Sequence, residues 1–332
     1  MLFIFSRTGF EATAGLFFFF MFLIFLLLYR EKRCYITFAS ISAILSIYSY
    51  NSFRIIIPLV IIIWTVTQKH KNIKLEIAVF GFFLISLIPI ARLYLLDAGA
   101  VRLITVGAQG MLGVMKNYIS HFDPRFLFLN GDTNPRHGLP GWGKLYWIDL
   151  LIFLIGIWKI LREKNKQSLA SQSTGKQSLA GFTGKLIWLF PLLLILAPIP
   201  AAITRESPHA LRAVVMAPSF AVITAVGLIS LRKYVLYIAV AVYLVFFGFY
   251  YRDFITEYNS ETLSDWQYEY KKIFSTTRSG VVTDKYAQPY IFALYYLKYP
   301  PEKFRKEVKH NPVDKWGFST VKSFNGFEFI DK

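Results

Sequence analysis

Between Ala12 and Tyr29 the chain reads ATAGLFFFFMFLIFLLLY, 18 residues without one charged side chain. An α-helix needs about 20 apolar residues to cross the hydrocarbon core of a bilayer. Seven further apolar windows follow, at 35–50, 53–67, 75–96, 145–162, 186–203, 211–230 and 233–250, the first two of them short. A run of such segments predicts an all-α multi-span membrane bundle of about eight spans. Composition supports that class: 55% of the 332 residues are hydrophobic, with 32 Phe and 20 Tyr, beyond what a soluble domain of this length carries.

The formal charge of +17 would suit a nucleic-acid partner if it lay on one continuous face. Instead, Lys and Arg gather in short connections: REKR after the first window, QKHKNIK after the third, the 162–185 segment after the fifth and LRK after the seventh. These belong on the cytoplasmic side by the positive-inside rule, which excludes nucleic acid as the partner. The outer side then receives residues 1–11, the YSYNSFR corner, the 97–144 loop, TRESPHALR and the 251–332 tail. That tail holds 13 basic and 11 acidic residues, a balance suited to a small soluble region. The expected organisation is a transmembrane bundle over 1–250, with outer loops 97–144 and 204–212, and an extracytoplasmic α/β region over 251–332. Cys34 is the only cysteine, so an intrachain disulfide and a cysteine-based metal cluster are excluded.

Two inner and tail segments carry local expectations. KQSLASQSTG is followed at once by KQSLAGFTGK, a near-duplication whose Ser, Gly and Gln content reads as a flexible linker. In the tail, Leu263, Trp266, Tyr270 and Phe274 recur at helical spacing and predict a surface helix, with a place along the membrane interface as the alternative. Beyond it, GVVT predicts a strand, PYIFALYY a helix, and the segment around Asn325-Gly326 a two-stranded hairpin.

The chemistry concentrates in two outer loops. NGDTNPRHGLPGWG combines turn residues with Asp132, Arg136 and His137, so it must be irregular. One reading is a self-satisfied turn in which Asp132 caps amides and pairs with Arg136. The other is anion capture, because the Arg fork matches phosphate oxygens and His donates a further hydrogen bond. The loop PIPAAITRESPHALRA repeats the theme with Arg205, His209 and Arg212, Glu206 being its only acid. Ser207-Pro208 there reads as a helix start, whose dipole would add to the cationic cluster. Snorkelling of Arg toward headgroups would explain each loop alone. Together they read as a lipid-phosphate site, with Arg54 as a further candidate that doubles as a span-end anchor. Tyr48, Tyr50, Trp142, Tyr146 and Trp147 suit an interfacial aromatic belt or sugar stacking. No metal is expected: Asp132 with His137 is the only pair at ligand-like spacing.

Five blocks, FSRTGFEATAG, YSYNSFRIIIPL, HFDPRFLFLNGDTNPRHGLPGWGKLYWID, PIPAAITRESPHALRA and YAQPYIFALYY, resemble in order the bacterial membrane glycosyltransferases related to the dolichyl-phosphate-mannose protein mannosyltransferases, of GT-C fold. The resemblance implies inverting transfer of a sugar from a polyprenyl-phosphate carrier to a protein or glycan acceptor at the extracytoplasmic face of the plasma membrane, without a nucleotide sugar or other cofactor. It implies phosphate binding by Arg136, His137, Arg205, His209, Arg212 and Arg54. The family carries a catalytic acid in a first outer loop that has no counterpart here, so the chain is expected to lack the N-terminal spans before that loop. Glu11 and Asp132 are the nearest remaining acids for the role of general base. A transporter of lipid-linked saccharides and an O-antigen polymerase or ligase are the alternatives. No repeat among the spans favours the transporter.

Overall fold

The computed structural model describes residues 2–29, 31–67, 72–96, 107, 110–174, 179–285, 288–313 and 319–330, with the backbone alone for 163–174 and 179–186. The chain divides into two compact units. One comprises 1–88 with 108–251, the other 89–107 with 252–332.

The first unit is helical. After a short turn of helix α1 (Leu2–Phe5), the elements are α2 (Glu11–Leu28), α3 (Tyr35–Ser49), α4 (Phe53–Thr67) and α5 (Ile73–Ser86); α6 (Ile88–Leu96), next in sequence, belongs from Pro89 to the second unit. Then come α7 (Gly110–Ser120), α8 (Trp147–Thr174), α9 (Leu179–Leu196), α10 (Ile199–Ala202), α11 (Met216–Ile229) and α12 (Lys233–Thr256). Each apolar window coincides largely with helix, and among the described residues three helices, Glu11–Leu28, Ile73–Leu95 and Lys233–Thr256, are long and apolar enough to cross a membrane. Of the about eight expected spans, three therefore have helices of spanning length among the described residues, and Tyr35–Ser49, Phe53–Thr67, Ile187–Ala202 and Met216–Ile229 are shorter apolar helices. At about 1.5 Å per residue, the 15 residues of α3 or α4 reach roughly 22 Å, short of a core of about 30 Å.

Small residues set the helix packing. Gly15 on α2 leaves room for the Phe53 ring, and its carbonyl accepts a hydrogen bond from the buried Ser46 hydroxyl of α3 at 2.8 Å. α8 and α11 meet through reciprocal glycines: a Cβ on Gly156 would collide with the carbonyl of Ile223, and one on Gly227 with that of Ile152. Backbones approach this closely only where the side chain is absent.

Three local expectations are corrected here. The near-duplicated segment is helical on both sides of 175–178, since α8 extends to Thr174 and α9 starts at Leu179. Its Lys, Gln, Leu and Ala are good helix formers, and they outweigh Ser and Gly. No helix starts at Ser207-Pro208; α11 begins at Met216. The Ser207 hydroxyl donates instead to the Asn117 carbonyl at 3.1 Å, so no helix dipole points at the second loop. The 97–144 loop carries a helix of its own, α7, with Met111, Leu112, Met115 and Ile119 exposed.

The second unit contains α13 (Tyr258–Thr262), α14 (Tyr268–Thr276), α15 (Pro289–Tyr296), α16 (Pro301–Glu307) and strands β1 (Gly280–Thr283), β2 (Lys309–His310), β3 (Val321–Phe324) and β4 (Phe327–Ile330). The sheet order is β1-β4-β3-β2, with β1 parallel to β4 and the other pairs antiparallel. The hairpin falls at Asn325-Gly326, both at positive φ (48° and 76°), as a two-residue turn with right-handed twist requires. The expected continuous surface helix is broken at Gln267, whose φ is 58°. Tyr270 and Phe274 are consequently core residues, packed with Phe324, Phe327 and Phe329. Leu263 and Trp266 remain partly exposed.

Candidate functional site

The site is built where two loops of the first unit, 121–146 and 203–212, meet. α7 supplies its floor. Asn117 and His121 lie four residues apart, on one face of the helix and its end. The Asn117 amide donates to the carbonyls of Ala202 and Thr204 at 3.2 and 2.7 Å, tying the second loop down. His121 Nδ1 donates to the Asn117 carbonyl at 2.8 Å. That fixes the tautomer and leaves Nε2 to accept from the His209 amide at 3.1 Å.

The first loop, irregular as expected apart from a single 3₁₀ turn at Pro135–His137, adds Asp132. Its side chain is 3% exposed and accepts from the Asn134 amide at 2.9 Å, from His137 Nδ1 at 3.1 Å and from the Ala210 amide at 2.6 Å. The last of these crosses between the loops. His137 and His209 are both buried, with ring centroids 4.5 Å apart, and Phe5 and Phe10 pack edge-on against His137. Behind them Lys144 is buried, its ammonium donating to the His137 carbonyl at 2.9 Å. A Cβ on Gly138 would collide with that ammonium, so any larger residue there would have to displace the end of the Lys144 side chain.

Burial and charge set the protonation of this cluster. Burial alone would raise the Asp132 carboxyl, but the His137 hydrogen bond and charge, with the Asn134 and Ala210 amides, hold it well below the usual carboxylate range. Burial, and then the charges of Arg212 and His137, press His209 down to about 3. Burial also lowers His121 and brings Lys144 down to about 8, against the pull of Asp132.

The sequence candidates separate. Asp132, His137 and His209 come together, and the Arg212 amide adds a 3.3 Å bond to His209 Nδ1. Asp132 pairs with His137, not with Arg136. The Arg212 guanidinium is held at 2.8 Å by the Thr204 hydroxyl and at 3.2 Å by Glu206. Arg136 is half-buried, and its guanidinium makes no hydrogen bond or ion pair with any described residue. Arg205 is exposed, and so is Glu11, in the first turn of α2. Arg54 lies at the α3–α4 corner, reaching the Ile47 carbonyl at 3.5 Å. Trp142, Tyr146 and Trp147 pack on Tyr250, Phe246 and Phe128. Sequence reasoning missed Asn117, His121 and Lys144. The four-residue spacing of the first two was a usable signal, whereas Lys144 looked like any interfacial lysine. Beside the cluster an apolar groove is lined by Val114, Met115, Tyr118, Ile119, Ile199 and Ala202.

Comparison with protein-family models, with curated proteins and with solved structures finds no match to this chain.

Proposed function

We propose that the protein transfers a sugar from a polyprenyl-phosphate-linked donor to a protein or glycan acceptor at the extracytoplasmic face of the plasma membrane. The observation that carries this reading is the half-buried Arg136, whose guanidinium is unpartnered among the described residues and which adjoins His137, the residue that stacks on His209 of the other His- and Arg-bearing loop. A half-buried cation with open donors suits a phosphate, which accepts two parallel N–H bonds from an Arg fork. The apolar groove beside the Asn117 tether offers an isoprenoid tail a surface next to that headgroup site. Arg212, already engaged by Thr204 and Glu206, helps the phosphate through its charge. Asp132 accepts three hydrogen bonds and is a poor proton acceptor, so it serves as a tether between the loops and not as the acceptor's base.

Donor binding is the direct test. The full chain in detergent should bind a polyprenyl-phosphate hexose and discriminate against the phosphate-free polyprenol. Arg136→Ala should weaken the phosphorylated ligand about 10- to 100-fold, the worth of a charge-assisted hydrogen bond of about 1.5–3 kcal/mol. Equal binding of the two ligands, or an unchanged Arg136→Ala protein, would refute the phosphate site.

The charge pattern adds a topological expectation. Residues 162–185 face the cytoplasm and 251–332 the outside, because basic residues concentrate in alternate connections. In a Cys34→Ser background, an impermeant thiol reagent applied to intact cells should label Ser275→Cys and spare Ser173→Cys. The reverse pattern would invert the proposed sidedness.

A further inference from the structure

We propose that Asp132, His137 and His209 bind one divalent cation of the zinc class. Their ligand atoms lie within 4.8 Å of one another, although the residues are drawn from two loops more than 70 positions apart. Asp132 Oδ2 and His137 Nδ1 stand 3.1 Å apart. Two atoms bound to a tetrahedral ion at about 2.1 Å each stand about 3.4 Å apart, so a parting of a few tenths of an ångström seats one. An ion would take the place of the proton now shared between them. His209 closes the set by a side-chain rotation of roughly 1–2 Å toward the other two, giving up only the long 3.3 Å bond from the Arg212 amide.

Outer contacts needed to hold such ligands are in place. The Asn134 and Ala210 amides fix the carboxylate, and His121 Nε2 fixes the His209 backbone. Two imidazole nitrogens and one carboxylate oxygen select zinc, cobalt or nickel over magnesium and calcium, which take oxygen-only shells. Lys144 and Arg212 oppose the charge of the ion. Arg212 is partly neutralised by Glu206, and the Lys144 ammonium is turned toward the His137 carbonyl. Three protein ligands leave a coordination position open to water or to an anion. Ion binding does not depend on the sugar-transfer reading, and its test uses no donor.

The tag-free chain, stripped with a chelator, is titrated with Co²⁺ and then Zn²⁺. We expect one equivalent bound per chain, with visible cobalt d–d absorption that zinc abolishes. His209→Ala and His137→Gln should each weaken binding at least 10-fold, while the exposed His310→Ala should leave it unchanged. X-ray absorption at the zinc edge of the unmutated protein should show two imidazole nitrogens, a readout independent of how the variants fold. No stoichiometric ion, a shell of oxygen alone, or binding by the two site variants as tight as that of the unmutated protein would overturn the proposal.

Discussion

Asp132→Ala will loosen the junction of the two loops and lower the stability of the first unit by about 3–5 kcal/mol, the cost of removing one partner from a buried charged pair. The carboxylate is the single acceptor for two amides and an imidazole, one of those amides lying on the opposite loop. Alanine leaves all three donors buried without it. Asp132→Asn keeps the shape and part of the acceptor capacity, so it should lose less. Thermal unfolding in detergent, with chelator present, measures both. A loss below about 0.5 kcal/mol in Asp132→Ala would mean that the loops are held without this carboxylate.

The same cluster fixes a pH dependence. Asp132 is depressed below its ordinary value of 3.8, so its contribution is present above that pH and is lost as pH falls through the lower folded value. His209 is depressed from 6.5 to about 3, so the folded state resists a proton that the unfolded chain takes up; stability declines as pH falls from about 6.5 toward about 3. Acid should therefore destabilise the native protein in that window. His209→Asn should flatten the upper part of the profile.

Gly156→Leu will separate α8 from α11 and cost about 3 kcal/mol or more, at or above the usual range for overpacking. The atom in the way is the Ile223 backbone carbonyl, which cannot swing aside as a side chain would. Gly227→Leu meets the Ile152 carbonyl and should behave alike. Gly81→Leu and Gly248→Leu are the controls, because a Cβ at either position meets nothing within 4 Å. Comparable losses in all four proteins would show that leucine in an apolar helix is harmful for reasons unrelated to this contact.

What was legible in the sequence follows from which signals are local. Asn325-Gly326 demands positive φ at both positions, so its hairpin was readable from two residues. The apolar windows gave the helices because hydrophobic runs need no distant partner, yet their lengths limited how many cross a bilayer. The loop residues announced charge and irregular backbone, but not that Asp132 would reach the Ala210 amide 78 residues away. Nor could helical spacing alone place Tyr270 and Phe274 inside: the left-handed Gln267 turns the chain and redirects their face from solvent to core. Lys144 was hidden for a similar reason, since its burial depends on glycines that leave space for its ammonium.

The strand order of the second unit has a consequence for assembly. β4 lies inside the sheet, between β1 and β3, although it is made after both. Pairing Gly280 with Phe327 closes a loop of 47 residues, and until then β1 has no described neighbour in the sheet. Synthesis from the N-terminus therefore delivers α14, α15 and the first three strands before the sheet can close. Phe327 and Phe329, which complete the aromatic core, arrive together with that strand. Closure of the four-stranded sheet therefore waits for residues 327–330.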